Sequence, residues 1–383
     1  MRRICVTPRP DWQRIVEGQG FIFHSLDDIP YWDESAYYLF SAEEVDVVEL
    51  ASNELHERCL DAAQHIISAG RYKDLGIPDF AIPLIEQAWE EEPPSIYGRF
   101  DFAYDGVSPP KLLEYNADTP TSLLEASVIQ WFWLRDVFPR LDQFNSIHEK
   151  LLARWAEVKS GLRGDILHFA STRDIEDIIT ANYLRDTAEA SNIATDYLHV
   201  DEIGWDALAL RYVDAKNRPI QSIFKLYPWE WLTREDFHRY LSFTSKHMRW
   251  IEPIWKMLLS NKAILPILWE LFPDHPNLLP AYLDGPNELS SYVVKPKLAR
   301  EGANLTVVKE GRVMEKTAGA YDESDAVWQG LLELPNFDGA RPVIGAWVIG
   351  GWAAGMGIRE ATQCITTNLS RFVPHAFEPP SVE

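Results

Sequence analysis

Residues Gly98 to Ser122 read GRFDFAYDGVSPPKLLEYNADTPTS, and two strand-like runs within them, Arg99 to Tyr104 and Lys111 to Asn116, flank the segment Asp105-Gly106-Val107-Ser108-Pro109-Pro110. Asp, Gly, Ser and Pro in that order carry turn chemistry, so the stretch reads as a hairpin. Alternation puts Arg99 and Asp101 on one face and Phe100, Phe102 and Tyr104 on the other. On the second run Leu112, Glu114 and Asn116 share a face. Closing the hairpin with Tyr104 opposite Lys111 sets Asp101 against Glu114 and Arg99 against Asn116. Facing carboxylates destabilise a sheet, and a divalent cation removes the conflict. Mg²⁺ suits the set, since it takes one or two carboxylates and completes its shell with phosphate and water. Asn116 adds a neutral oxygen, and Arg99 adds a clamp for phosphate or carboxylate. The same residues also fit a salt-bridged hairpin, with Arg99 paired to Asp101 or Glu114 and Asn116 opening a turn. Spacing leaves both readings open.

Residues 42 to 69 carry a helical stripe of Val45, Val48, Leu50, Leu55, Cys59, Leu60 and Ala63. Helical patterns also run from about Ser122 to Val137 and from Asn145 to Lys159. Asp165 to Ala170 and Ala194 to Val200 read as strands around a helix from Asp174 to about Glu189, with Ser171 or Thr172 as its N-cap. Strand, helix and strand in so short a span predict a βαβ unit and a parallel sheet. Ser291 to Lys295, Leu305 to Val308, and a hairpin of Pro342 to Ile349 with Trp352 to Ile358 give the last third an antiparallel character. The fold class is α/β with α+β elements. Three regions are expected: a helical segment at 1–95, the hairpin and βαβ unit at 96–250, and a nucleotide-binding and lid region at 251–383.

The chain has 383 residues, 46% of them hydrophobic, including 15 Trp, 15 Tyr and 17 Phe. Such a composition fills a large core and excludes disorder as the default. A net charge of -22 argues against nucleic acid and leaves a cationic substrate open. Cys5, Cys59 and Cys364 are scattered without metal-ligand spacing, and ten histidines show no zinc pattern. After Met1-Arg2-Arg3, the residues Pro8, Arg9, Pro10 and Asp11 interrupt any apolar signal region. No run approaches the roughly 18 apolar residues of a membrane span. The expected location is the cytoplasm. Trp131, Trp133, Trp229, Trp231, Trp255 and Trp269 are expected in the core rather than stacked on a ligand.

The strings RFDF and LLEYNADTPTSLLEA, then FKLYPWEW (Phe224 to Trp231), NKAILPILWELFP (Asn261 to Pro273), YVVKP (Tyr292 to Pro296), GMGIRE (Gly355 to Glu360) and TNLSRFVPH (Thr367 to His375), follow in one order. In that order they resemble the synthetase domain of the glutathionylspermidine synthase family and its acid–amine ligase relatives. The resemblance implies a circularly permuted ATP-grasp fold with a Rossmann-like pre-ATP-grasp lobe, because the metal set precedes the nucleotide lysines. It implies ATP and Mg²⁺ as cofactors and an amide bond formed through an acyl-phosphate. Asp101, Glu114 and Asn116 would hold magnesium, and Lys262 and Lys295 would touch the nucleotide. The loop Arg300-Glu301-Gly302-Ala303-Asn304 would close over the γ-phosphate, Gly302, Ala303 and Asn304 being its binding positions. Arg99 and Arg359 would stabilise the transferring phosphoryl group, and Ser122 would contact the acid. The partners implied are a small carboxylic acid, peptide-like in the relatives, and an amine, a polyamine in the relatives, with neither nucleic acid nor membrane. The family's bifunctional members carry an amidase domain ahead of this region, and no amidase activity is expected here. Glu230 and Glu360 are candidates for the base that frees the amine. Other classes stay open: a catalytically silent nucleotide-binding or scaffold protein on the ATP-grasp fold, and a carbohydrate-active enzyme using Asp101 and Glu114 as an acid pair.

Overall fold

The expected hairpin forms the edge of an antiparallel sheet. In the computed structural model, which describes residues 1–26, 29–367 and 370–379, Lys111–Asn116 pairs with Tyr97–Ala103, then follow Arg341–Ile349, Trp352–Ala361 and Arg371–Val373. Asp105 closes the turn by accepting from the Val107 and Ser108 N–H groups at 2.8 and 2.7 Å. Gly106 sits there at φ +82°, where a side chain would be strained.

The register differs from the expected one in an instructive way. Ala103, not Tyr104, lies opposite Lys111, and Phe102 lies opposite Leu112, yet Asp101 still faces Glu114 and Arg99 faces Asn116. Leu113 is an extra residue, a bulge that restores the pairing. The bulge also corrects the face of Leu112. This side chain packs in the core with Phe100, Phe102 and Tyr104 rather than beside Glu114.

The core face of this sheet packs on the helix Ala42–Ala69. A capping box of Ser41 and Glu44 starts that helix, and Gly70 at φ +67° ends it. Val45, Val48, Leu55, Cys59 and Ala63 are buried as expected, whereas Leu50 is 67% exposed because it projects from the opposite side of the helix.

A parallel sheet orders Arg249–Ile251, Ser222–Leu226, Leu167–Ser171 and Thr195–His199. The helix Ile175–Ala190 connects the last two, as the βαβ pattern predicts. Its N-cap is Asp174, which accepts from the Glu176 N–H, rather than Ser171 or Thr172. Asp174 directly precedes the first helical turn, and Thr172 instead accepts from the Asp174 N–H at 3.1 Å.

Another antiparallel sheet orders Ala281–Tyr282, Ala326–Gly330, Tyr292–Pro296, Thr306–Lys309 and Arg312–Lys316. A smaller one joins Arg2–Cys5 and His375–Glu378 to either side of Ala36–Ser41. Trp133, Trp229 and Trp255 are buried in the core. No helix among the described residues is long and apolar enough to cross a membrane.

Candidate active site

A cleft of about 920 Å³ lies between the polar face of the hairpin sheet, the sheet that carries Lys295, and the helix Ile175–Ala190. The alternation that buries Phe100 and Phe102 turns Arg99, Asp101, Glu114 and Asn116 into it. Lys262, Lys295, Gly302 and Arg359 also line it.

Arg99 grips Asp101 with two parallel bonds, Nε to Oδ1 at 2.7 Å and Nη2 to Oδ2 at 3.0 Å, and donates Nη1 to the Thr121 carbonyl at 2.8 Å. Burial raises the Asp101 carboxyl; Arg99 opposes that shift and the Glu114 charge adds to it. Lys262 Nζ lies 2.9 Å from Glu114 Oε2 and donates to the Ala299 carbonyl at 2.6 Å. Burial works to raise the Glu114 carboxyl, but Lys262, Lys295 and Arg99 together bring it down to about 2. Lys295 donates to the Leu113 carbonyl at 3.0 Å and to Gln329 Oε1 at 2.6 Å. Burial lowers its ammonium to about 8, against the pull of Glu114.

The salt-bridged hairpin that spacing allowed is therefore present, and the same groups face a cavity. Asn116 behaves as a turn former too, its Oδ1 accepting from the Thr119 N–H at 3.2 Å. Two hard carboxylates whose charges press on each other, with an amide oxygen beside them, make a donor set suited to Mg²⁺. Among the described residues no group of three or more His, Cys, Asp or Glu side chains has metal-binding geometry.

The glutathionylspermidine synthase preATP-grasp family matches residues 3–378. The chain belongs to that family. It is similar to a candidate acid–amine ligase of Haemophilus influenzae, 42% identical over 99% of this chain and 100% of that protein. It is also similar to trypanothione synthetase of Crithidia fasciculata, 30% identical over 82% of this chain and 52% of that protein. Among solved structures, a glutathione synthetase-like effector of Globodera pallida in its apo form superposes with a TM-score of 0.52 at 10% identity, covering 89% of each chain; that likeness concerns the fold alone. The fold is thus the permuted ATP-grasp arrangement with a parallel lobe, and the chain is an ATP-dependent acid–amine ligase of the glutathionylspermidine synthase family.

Within this family frame the loop after Ala299 is already folded over the cleft. Arg300 donates from Nε to Glu230 Oε1 at 3.0 Å and from Nη1 to Thr119 Oγ1 at 2.8 Å. Gly302 has φ +72°, and a Cβ there would meet the Thr366 carbonyl at 2.6 Å, so the close approach requires glycine. Ala303 and Asn304 stand off the cleft wall. The buried Asn304 amide donates to Glu323 Oε1 at 3.1 Å and accepts from the Tyr321 N–H at 2.9 Å, anchoring the loop from behind.

Arg359 donates to the carbonyls of Ser370 at 3.0 Å and Thr367 at 2.7 Å. Asn368 and Leu369 of the TNLSRFVPH string lie outside the described residues. Ser122 is buried, its Oγ 3.0 Å from the Tyr31 hydroxyl, and stands behind Arg359 rather than on the cleft wall.

The two candidates for the base part company. Glu360 points to the other side of the sheet, held by Arg3 at 2.7 and 3.0 Å and by the Tyr38 hydroxyl at 2.7 Å. Glu230 lines the cleft, paired with Arg300.

Sequence reading missed an acidic wall. Asp174, Glu176 and Asp177, at the start of their helix, line the cleft together with Glu301. Burial raises Asp177 to about 6, and the neighbouring carboxylates of Glu176 and Asp174 add to this. Acidic residues in a first helical turn are ordinary macrodipole partners, so their pattern carried no signal. Trp231, alone among the six tryptophans singled out above, lines the cleft.

Proposed function

We propose that the chain joins a carboxylic acid to a primary amine with ATP and Mg²⁺, through an acyl-phosphate. The observation that carries this reading is the convergence of Asp101, Glu114 and Asn116 with Lys262, Lys295, Arg99 and Arg359 on one cleft. Asp101, Glu114 and Asn116 are the residues that would hold magnesium, which when bound neutralises charge on the terminal phosphates. Lys262 and Lys295 place ammonium groups against the same phosphates. Arg99 and Arg359 offer planar guanidinium donors to the phosphoryl group and to the carboxylate that receives it. The loop at Arg300 to Asn304 covers the site and keeps water from the activated acid.

The second substrate is a cation until it loses a proton, and Asp174, Glu176 and Asp177 supply the wall that suits it. A polyamine such as the family's spermidine presents the matching charge; glutathione is the corresponding model acid. Of the two candidates for the base, Glu230 lines the cleft and would take the amine's proton once Arg300 releases it. Phosphate release from MgATP, measured over a panel of acids and amines, tests the assignment. Release that needs both an acid and an amine, with a stoichiometric amide product, is the expected result. ATP binding without turnover across the panel would favour the silent scaffold instead.

A further inference from the structure

Behind Arg359 sits a group of buried polar side chains that the reaction as described leaves without a role. Tyr31, Ser122 and Glu125 are each 2% exposed. The Tyr31 hydroxyl donates to Glu125 Oε1 at 3.0 Å and lies 3.0 Å from Ser122 Oγ. Arg359 Nη1 stands 3.5 Å from that same Oγ, and its Cζ lies 5.3 Å over the Tyr31 ring. Of these four residues, Arg359 alone reaches the cleft.

Donors and acceptors run in one direction here. Arg359 can only donate, so Ser122 Oγ accepts from it, the Ser122 hydroxyl donates to Tyr31, and Tyr31 donates to Glu125. The chain is satisfied when Glu125 accepts. If Glu125 instead donates, the order reverses and Tyr31 donates to Ser122, whose Oγ then divides its two lone pairs between Tyr31 and Arg359. A purely structural role would be filled better by apolar side chains, since an unexposed carboxylate is costly unless fully partnered. Glu125 also opens the π-helical turn Glu125–Ile129, a form frequent at functional sites.

We infer that Tyr31 is a positioning residue of the ligase, linking the buried carboxylate of Glu125 to Arg359 so that the guanidinium is held toward the acid being activated. The inference rests on the role proposed for Arg359. The charged groups facing Glu125 are Glu176 from the helix Ile175–Ala190 and Arg359 from its strand, with Tyr31 as hydrogen-bond donor. Burial, then Glu176, raises the Glu125 carboxyl to about 7 against the opposition of Tyr31 and Arg359. The hold on Arg359 therefore strengthens as pH rises through about 7.

Phenylglyoxal labelling of Arg359, followed by peptide mass spectrometry on the full chain without substrates, tests the link directly. In Tyr31→Phe the Arg359 labelling rate rises on the order of tenfold, while Arg99, held by Asp101, labels at the wild-type rate. An unchanged Arg359 rate, or an equal rise at Arg99, overturns the inference. Kinetics with MgATP, glutathione and spermidine supply a second arm. Tyr31→Phe is expected to raise the KM for the acid and leave that for ATP, and Glu125→Gln to flatten the pH profile near 7. Should wild-type enzyme release no phosphate with any acid and amine, the ligase reading fails, while the labelling result still decides the linkage.

Discussion

Glu114 Oε2 and Lys262 Nζ lie 2.9 Å apart, and that contact ties the second strand of the hairpin to the base of the covering loop, because Lys262 also donates to the Ala299 carbonyl. Replacing Glu114 by Gln should lower turnover by about 10²–10³, the usual consequence of removing one charge stabiliser. Lys262 keeps the Ala299 carbonyl, so the melting temperature should stay near wild type. Turnover and melting measured on the same preparation check both halves, and retained turnover would remove Glu114 from the magnesium set.

Gly345 lies opposite Asp101 in the sheet, and a Cβ added there would meet Arg99 Cδ at 2.9 Å. The bidentate grip of Asp101 leaves Arg99 little freedom to yield. Gly345→Ala is therefore expected to lower kcat by tenfold or more while the KM for ATP stays close to wild type. Steady-state kinetics decide it, and an unaltered kcat would mean that the placement of Arg99 is not critical.

Lys295 should impose a basic limb on the reaction. Its ammonium falls to about 8 in the free enzyme, first through burial, so the charge offered to phosphate is present below that pH and lost above it. The profile of kcat/KM for MgATP, which reports the free enzyme, should drop as pH passes about 8. Lys295→Arg should abolish that limb, since guanidinium stays charged. The sign for stability is opposite. A lysine with a depressed value destabilises the fold while charged, so its contribution improves from about pH 8 upward.

Asn304 is predicted to act on the covering loop through its anchor rather than by touching nucleotide. Asn304→Ala strips partners from Glu323 and the Tyr321 N–H, which should cost about 1–3 kcal/mol and loosen residues 300–304. Faster amide exchange confined to that loop, with a raised KM for ATP, is the expected pattern; exchange unchanged at the loop would contradict it.

The outline of this fold was legible because alternation and turn chemistry are local. The hairpin, the long helix and the strand–helix–strand unit follow from short windows of sequence. What could not be read depends on contacts far apart in the chain. Arg3 claims Glu360 across 357 positions, and Tyr31 reaches Glu125 across 94. The π-helical turn at Glu125 and the bulge at Leu113 leave no compositional mark, although each decides where a carboxylate points. A ladder without a bulge is off by one at Lys111, and Leu113 cancels the offset, so that Asp101 still faces Glu114.

That extra residue makes the spacing of the second hairpin strand as consequential as its chemistry. Loss of the codon for Leu113 would leave an unbroken ladder, with Leu112 still turned inward and Glu114 and Asn116 still in the cavity. Loss of the codon for Tyr115 would instead keep every proposed ligand in the translated product and turn either Glu114 or Asn116 into the greasy interior. A frame-preserving deletion at Tyr115 is thus a harsher lesion than most substitutions in the site, since it removes no ligand and still misdirects one.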